Sequence, residues 1–178
     1  MKLEKNKFNL PVSSDDIDFR IQSINKGGYA TILAYKDARY DMNVLDETVG
    51  PMNWQKRYTT IDGRLYCEVG VYDKETNQWI WKQDVGTESN TEQEKGQASD
   101  AFKRACFNWG IGRELYDFPL IQVKLNPDEF TIVGNKGKAT FKLQLRKWTW
   151  GIKRDKDLNI IQLAAKDQNE KLRFNYKK

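Results

Sequence analysis

Lys103 and Arg104 stand side by side within residues 91–109, and Lys142, Arg146, Trp148 and Trp150 follow later at even spacing. Residues 136–156 carry eight cations and a single acid, Asp155. These residue types bind rather than react. Lys and Arg neutralise phosphates and fix the register of a nucleic-acid chain. An indole offers a stacking face worth ~1–3 kcal/mol per base. Two alternatives remain open. The paired helical cations could be partners of Asp100 or Asn108, or simply solvated. A Lys-studded strand could be a guarded sheet edge, with its two Trp packed on the core.

Bond-making chemistry has little to work with. The chain has no histidine, which removes Ser-His-Asp triads, HExxH zinc sites and histidine general bases. Two cysteines, Cys67 and Cys106, cannot build a structural zinc site alone and form no CxxC pair. Asp84, Glu88, Glu92 and Glu94, near Lys95, could gather a divalent cation for a nuclease. No PD…(D/E)xK order accompanies them, and acids at a helix start also serve the helix dipole. Gly110-Ile111-Gly112 could expose amides to phosphate. It follows a helical pattern rather than a strand and lacks GxxxxGK[ST], so it reads as a helix-breaking turn. No catalytic residue, metal site or cofactor is expected.

The elements that must position these residues come from periodicity. Ser14 before Asp15-Asp16 reads as an N-cap, with a short helix over Asp18–Ile24. Tyr29–Tyr35 reads as a strand. A helix over Lys36–Val49 places Met42, Leu45 and Val49 on one face and stops at Gly50-Pro51. Trp54–Ile61 and Arg64–Tyr72 flank Asp62-Gly63, a type I′ hairpin signal, and Gln78–Gly86 completes a meander. Over Thr91–Trp109, Thr91 and Glu94 form a candidate capping box. Ala98, Ala101, Phe102, Ala105, Cys106 and Trp109 make one apolar stripe, so Cys106 is expected to pack as a small hydrophobe. Beyond Pro127 the pattern is all β: Phe130–Val133, Lys138–Trp150, Asn159–Ala165 and Leu172–Tyr176. On the long strand, Lys138, Lys142, Arg146, Trp148 and Trp150 share one face, and Ala139, Phe141, Leu143 and Leu145 the other. The expected class is α+β, an antiparallel three-stranded meander packed against a long helix with a C-terminal β-rich extension. The divisions expected are a core domain over 1–122 and a basic extension over 123–178.

At 178 residues the chain can bury a core without disulfides. Its net charge of +5 is unevenly placed. Residues 1–100 hold 13 Lys and Arg against 17 Asp and Glu, and residues 101–178 hold 17 against 8. The second part therefore suits an anionic partner. No run of ~18 apolar residues occurs, the N-terminus has no signal-like apolar region, and cysteine is sparse. A cytoplasmic location without membrane contact is expected.

At the helix and its exit the residues become recognisable. ASDAFKRACFNWGIGRELY (98–116) resembles the signature of the Rad-fifty-two family, a helix with a paired Lys-Arg followed by a glycine-containing turn. AYKDARYDMNVLDETVGPMNW (34–54) is similar to the family's helix running into a Gly-x-x-x-Trp, and DVGTES (84–89) to the end of its third strand. The three motifs occur in the family's order, over about residues 10–122. The resemblance is closest to the short bacteriophage branch, the Sak-type annealing proteins. It implies a β-β-β-α core, ring-like homo-oligomers and ATP-independent binding and annealing of single-stranded DNA in recombination and repair. It puts DNA contacts at Lys103 and Arg104, at Tyr35, at Arg20 and near Arg64. The family's next helical arginine falls at Phe107, where that charge is either missing outright or replaced by ring stacking. Lys142, Arg146, Trp148 and Trp150 lie outside the shared core and rest on spacing alone.

The partners expected are single-stranded DNA, further copies of the chain and a single-strand binding protein. For a phage-encoded chain the setting is the host cytoplasm. The alternatives are an RNA or duplex-binding module without annealing activity, and a metal-dependent nuclease using Asp84, Glu88 and Glu92.

Overall fold

A computed structural model describes residues 7–87 and 93–178, with side chains outside 93–95. Glu88, Glu92 and the Thr91–Glu94 capping box therefore lie outside the described residues or side chains. The described chain is α+β, with two α-helices, and its strands pair antiparallel. Its described residues divide into two compact units, one of 7–12, 36–87 and 93–113, the other of 13–35 and 114–178.

The first unit holds α1 (Ala38–Val49), strands β3 (Trp54–Ile61), β4 (Arg64–Asp73) and β5 (Gln78–Val85), and α2 (Gln93–Trp109). The meander has the order β3-β4-β5. Asp62 and Gly63 both take positive φ, 50° and 72°, the I′ geometry that lets Ile61 face Arg64. Ala101, Phe102, Ala105 and Cys106 of α2 are buried in one cluster with Cys67, Val69 and Val71 of β4 and Leu45 of α1. Alternation on the strand and a 3.6-residue stripe on the helix bring these together. Both thiols are free and buried. Burial pushes Cys67 up to about 11 and lifts Cys106 well above the ordinary thiol value. They pack rather than react.

Lys36 and Asp41 are an ion pair inside this unit, 1% and 0% exposed. Asp37 caps α1 and places Asp41 in its first turn. Burial lowers the Lys36 pKa and lifts Asp41 to about 6, each opposed by the partner's charge. Gly110 and Gly112 end α2 at φ 107° and 69°. A Cβ on either would strike Asn9 or the Lys36 side chain, so this turn is filled by protein rather than open as a phosphate cradle.

The second unit contains β1 (Asp18–Ile24), β2 (Tyr29–Tyr35), β6 (Ile121–Lys124), β7 (Phe130–Val133) and β8 (Lys136–Ala139), in the order β6-β2-β1-β8-β7. A second sheet runs β11-β10-β9, from β9 (Thr149–Arg154), β10 (Ile160–Lys166) and β11 (Leu172–Lys177). One apolar cluster joins the two sheets, including Ile24, Ile32, Ile121, Trp148 and Leu163.

Two expectations are corrected here. Residues 18–24 form a strand, not a helix. Ser13 caps only a 3-10 turn over Ser14–Asp16, and Phe19 and Ile21 then alternate with Arg20 and Gln22, the period of a strand. The single strand expected over 138–150 is broken. β8 ends at Ala139, and the Thr140 hydroxyl donates to the Asp128 carbonyl at 2.6 Å and accepts from the Lys142 amide at 3.2 Å. Such local side-chain bonds compete with a ladder. A 3-10 helix, Leu145–Lys147, then precedes β9, and Phe141 is 81% exposed.

Arg173 is the polar centre of the second unit. It is 4% exposed and reaches Glu129 at 2.7 and 2.9 Å and Asp167 at 3.2 Å. Burial alone would raise both carboxyl pKa values. For Glu129 the Arg173 guanidinium and the Asn126 amide outweigh it; for Asp167 the Asn169 and Lys171 amides and Arg173 do.

Replacing one member of a buried ion pair strands the other. Lys36→Met should lower stability by about 3–5 kcal/mol, and Lys36→Met with Asp41→Leu should recover most of that loss. Urea unfolding of the two variants checks this, and a double variant no better than the single would contradict it. Glu129 and Asp167 have lowered folded values, so their stabilisation is fully present above the unfolded carboxylate range, ~3.9–4.3. It should fade as pH falls through the folded values. Arg173→Met should be less stable than wild type at neutral pH, with the gap narrowing on acidification in the same unfolding assay.

Candidate nucleic-acid interface

The expected contact residues fall into two groups, one in each unit. In the first unit, α2 carries Lys103, Arg104 and Phe107. Asp100 bonds the Arg104 Nε at 3.1 Å, one turn away, and also accepts from the Thr87 amide and hydroxyl, both at 2.9 Å. Burial would raise the Asp100 pKa, but the Thr87 bonds and the Arg104 charge bring it below the ordinary value. Arg104 is thus aimed by a fixed carboxylate. Lys103 is half-buried and acts through space on Asp37 and Asp41. The half-buried Phe107 ring lies 4.7 Å from the Lys36 ammonium, so part of its π-face serves that buried cation. Arg64 is exposed at the start of β4, just past the hairpin turn.

The second unit gathers a tighter set. Arg20 on β1 lies diagonally across from Tyr35 on β2, where Asp18 pairs with Tyr35 and Arg20 with Leu33. Its guanidinium sits 5.5 Å over the Tyr35 ring. Both line an open cleft of roughly 830 Å³, together with Arg146, Lys147, Trp148 and Trp150. Arg20 and Tyr35 are thereby brought beside Arg146, Trp148 and Trp150, which come from a distant stretch of the sequence. Lys142 is exposed beside Phe141 and does not line the cleft.

The two tryptophans do not share an open strand face. Trp148 is 6% exposed, and Arg173 lies 4.6 Å over its ring. Its indole N–H has no acceptor among the described residues. Trp150 is half-buried and stacked on Phe19 at 3.6 Å and 7°. Trp148 builds the floor of the cleft, and Trp150 spends one face inside the fold. Lys147 and Phe19 are members of this group that spacing did not single out. The signal for Phe19 was the alternation over 18–21. The nuclease reading rests on Glu88 and Glu92, outside the described residues; Asp84 accepts from Asn108 at 3.4 Å and from the Val85 amide at 2.7 Å.

Residues 2–130 match the Rad52/22 family of double-strand break repair proteins. The chain belongs to the Rad52/22 family. The match covers the meander, both α-helices, Arg20, Tyr35, Lys103 and Arg104, and ends before the 143–150 wall of the cleft. The chain is also similar to the single-stranded DNA-binding protein DdrA of Deinococcus radiodurans, at 37% identity over 93 residues. That alignment covers 51% of this chain and 43% of DdrA, so the chain spans less than half the length of this curated relative. No helix among the described residues is long and apolar enough to cross a membrane.

The burial difference between cleft residues gives a test. Trp148→Ala should cost about 3–5 kcal/mol, the usual loss for a buried Trp. Arg20→Ala removes an exposed cation–π contact and should cost no more than about 0.5–1 kcal/mol. Urea unfolding midpoints of the two variants check the ordering.

Proposed function

We propose that this chain binds single-stranded DNA and anneals complementary strands, without ATP, in recombination and repair. The observation that carries this reading is the Arg20–Tyr35 pair, a cation over an aromatic ring at the mouth of a cleft, within the family-matched residues. A cation beside a ring suits a phosphate followed by a base or sugar. Lys103 and Arg104 add two cations mid-helix, and the similarity to DdrA, a single-stranded DNA-binding protein, agrees.

The reading asks for no catalytic group. Duplex formation is downhill by roughly 1.4 kcal/mol per stacked step. The protein need only lower strand repulsion and leave base edges free. Cations that release counterions from the backbone do the first. A ring-like homo-oligomer would repeat a weak site many times and raise avidity. The Sak-type phage branch, cytoplasmic location and assistance from a single-strand binding protein belong to the same reading.

Lys103→Ala with Arg104→Ala should weaken oligo(dT) binding and reduce the slope of log affinity against log salt by about 1.4, as expected when two phosphate partners are removed. The same variant should slow annealing of complementary oligonucleotides, measured without ATP. Unchanged binding and annealing would remove these residues from the interface. Tighter binding of duplex DNA or RNA, with no annealing, would favour a non-annealing nucleic-acid module instead. Particle imaging of the wild-type chain should show rings.

A further inference from the structure

β1 is paired along most of its length with β2 on one side. On the other it meets β8 only at Ile24 opposite Gly137. Among the described residues, the stretch Asp18–Ile21 therefore has no strand beside it there, and Leu143–Trp148 close the gap as an opposite wall. The two walls have different origins. Arg20 and Tyr35 lie within the residues that match the family, whereas Leu143–Trp148 follow them. Three cations line this space, Arg20 on one wall and Arg146 and Lys147 on the other, against one carboxylate, Asp18. All three cations are exposed. Among the described residues, none of them forms a salt bridge.

We infer that the segment Leu143–Lys147 is a DNA-contacting wall, and that the cleft takes the sugar-phosphate backbone of single-stranded DNA between Arg20 and the Arg146-Lys147 pair. The inference rests on the single-stranded DNA reading and adds a site outside the family-matched residues. Three physical features support it. The charge in the cleft is complementary to phosphate, and opposed walls can meet one backbone from two sides. The roughly 830 Å³ volume is within the ~300–1,000 Å³ range of ligand-enclosing sites, large enough for a nucleotide unit. The wall is also anchored from below. Trp148 closes the 3-10 helix that ends in Arg146 and Lys147, and its ring is held under the buried Arg173. A positioned cation loses less freedom on binding than one on a loose tail.

The test uses the full chain and oligo(dT), with affinity measured by fluorescence polarisation between about 50 and 200 mM salt. Arg146→Ala with Lys147→Ala should lower affinity at least about tenfold and reduce the salt slope by about 1.4. Both side chains are exposed, so the unfolding midpoint should stay at the wild-type value. Lys153→Ala with Lys156→Ala removes the same charge from exposed positions off the cleft and should have a much smaller effect. Equal losses from the two double variants would overturn the inference, because net charge alone would then explain them. Wild-type binding by the Arg146/Lys147 variant, with binding lost in the Lys103/Arg104 variant, would also overturn it while leaving the function standing. Failure of the wild-type chain to bind oligo(dT) would remove both. Tighter binding of oligo(rU) than oligo(dT) would overturn the assignment to DNA.

Discussion

Arg173 cannot shed its proton at any pH a folded protein meets, so its burial sets terms for everything around it. A guanidinium in a low-dielectric interior needs its charge matched and its donors met. Glu129 meets it with two oxygens and Asp167 with one. Glu129 also accepts from the Asn126 amide, and Asp167 from the Asn169 and Lys171 amides. One cation thereby fixes the turn before β7, the turn between β10 and β11, and β11 itself. Its flat face covers Trp148 at 4.6 Å. Trp148 in turn lies beside Trp150, at 6.3 Å, and Trp150 on Phe19 of β1. The order of the cleft's floor thus descends through a stack of rings from one buried charge.

The first unit solves a similar problem with a weaker pair. Lys36 and Asp41 lie five residues apart, and Asp37 caps the helix that carries Asp41. Here burial prevails over attraction, since Lys36 is lowered and Asp41 raised. Asp41 Oδ2 finds no hydrogen-bond partner among the described residues. Arg173 has a planar fork and two acids, while Lys36 has a point charge and one. A pair so poorly compensated adds little stability of its own, yet either half left alone would cost more. It holds the entry of α1 in one register, and the crowded Gly112 shows how closely the α2 exit is packed on it.

Local signals were legible in the sequence, and long-range ones were not. Asp62-Gly63 announced a I′ turn, and β3 has the bounds its pattern indicated, Trp54–Ile61. The alanine-rich stripe of α2 named its buried face. Residues 18–24 misled because a capping signature lay directly upstream. The caps acted on a single 3-10 turn, and tertiary pairing with β2 claimed the rest. Residues 138–150 misled because Thr140 offers its neighbours bonds that end the ladder, which alternation alone does not reveal. The Glu129–Arg173 bond spans 44 residues, and no local pattern marks it. Of the candidate contacts, Arg20 and Tyr35 converge with Arg146 and Trp150, while the shared strand face meant to unite Lys142 with Trp148 does not exist.

This distribution of charges bears on how one fold could grip DNA yet let it pair. Affinity from a deep, fully satisfied site would hold bases as well as phosphates and would oppose annealing. The buried cations, Lys36 and Arg173, are committed to carboxylates and serve the fold. Arg20, Arg146 and Lys147 remain at an exposed cleft, where a phosphate interaction would be screened and reversible. The aromatic surface follows the same division: Trp148 is enclosed and Trp150 half-spent, leaving Tyr35 beneath Arg20 as the ring most closely coupled to a cleft cation. On the proposed function, a site made this way would hold a backbone by charge and commit little stacking energy to any base. Base edges would then stay available to a complementary strand, and duplex formation could outcompete the protein's own weak interactions.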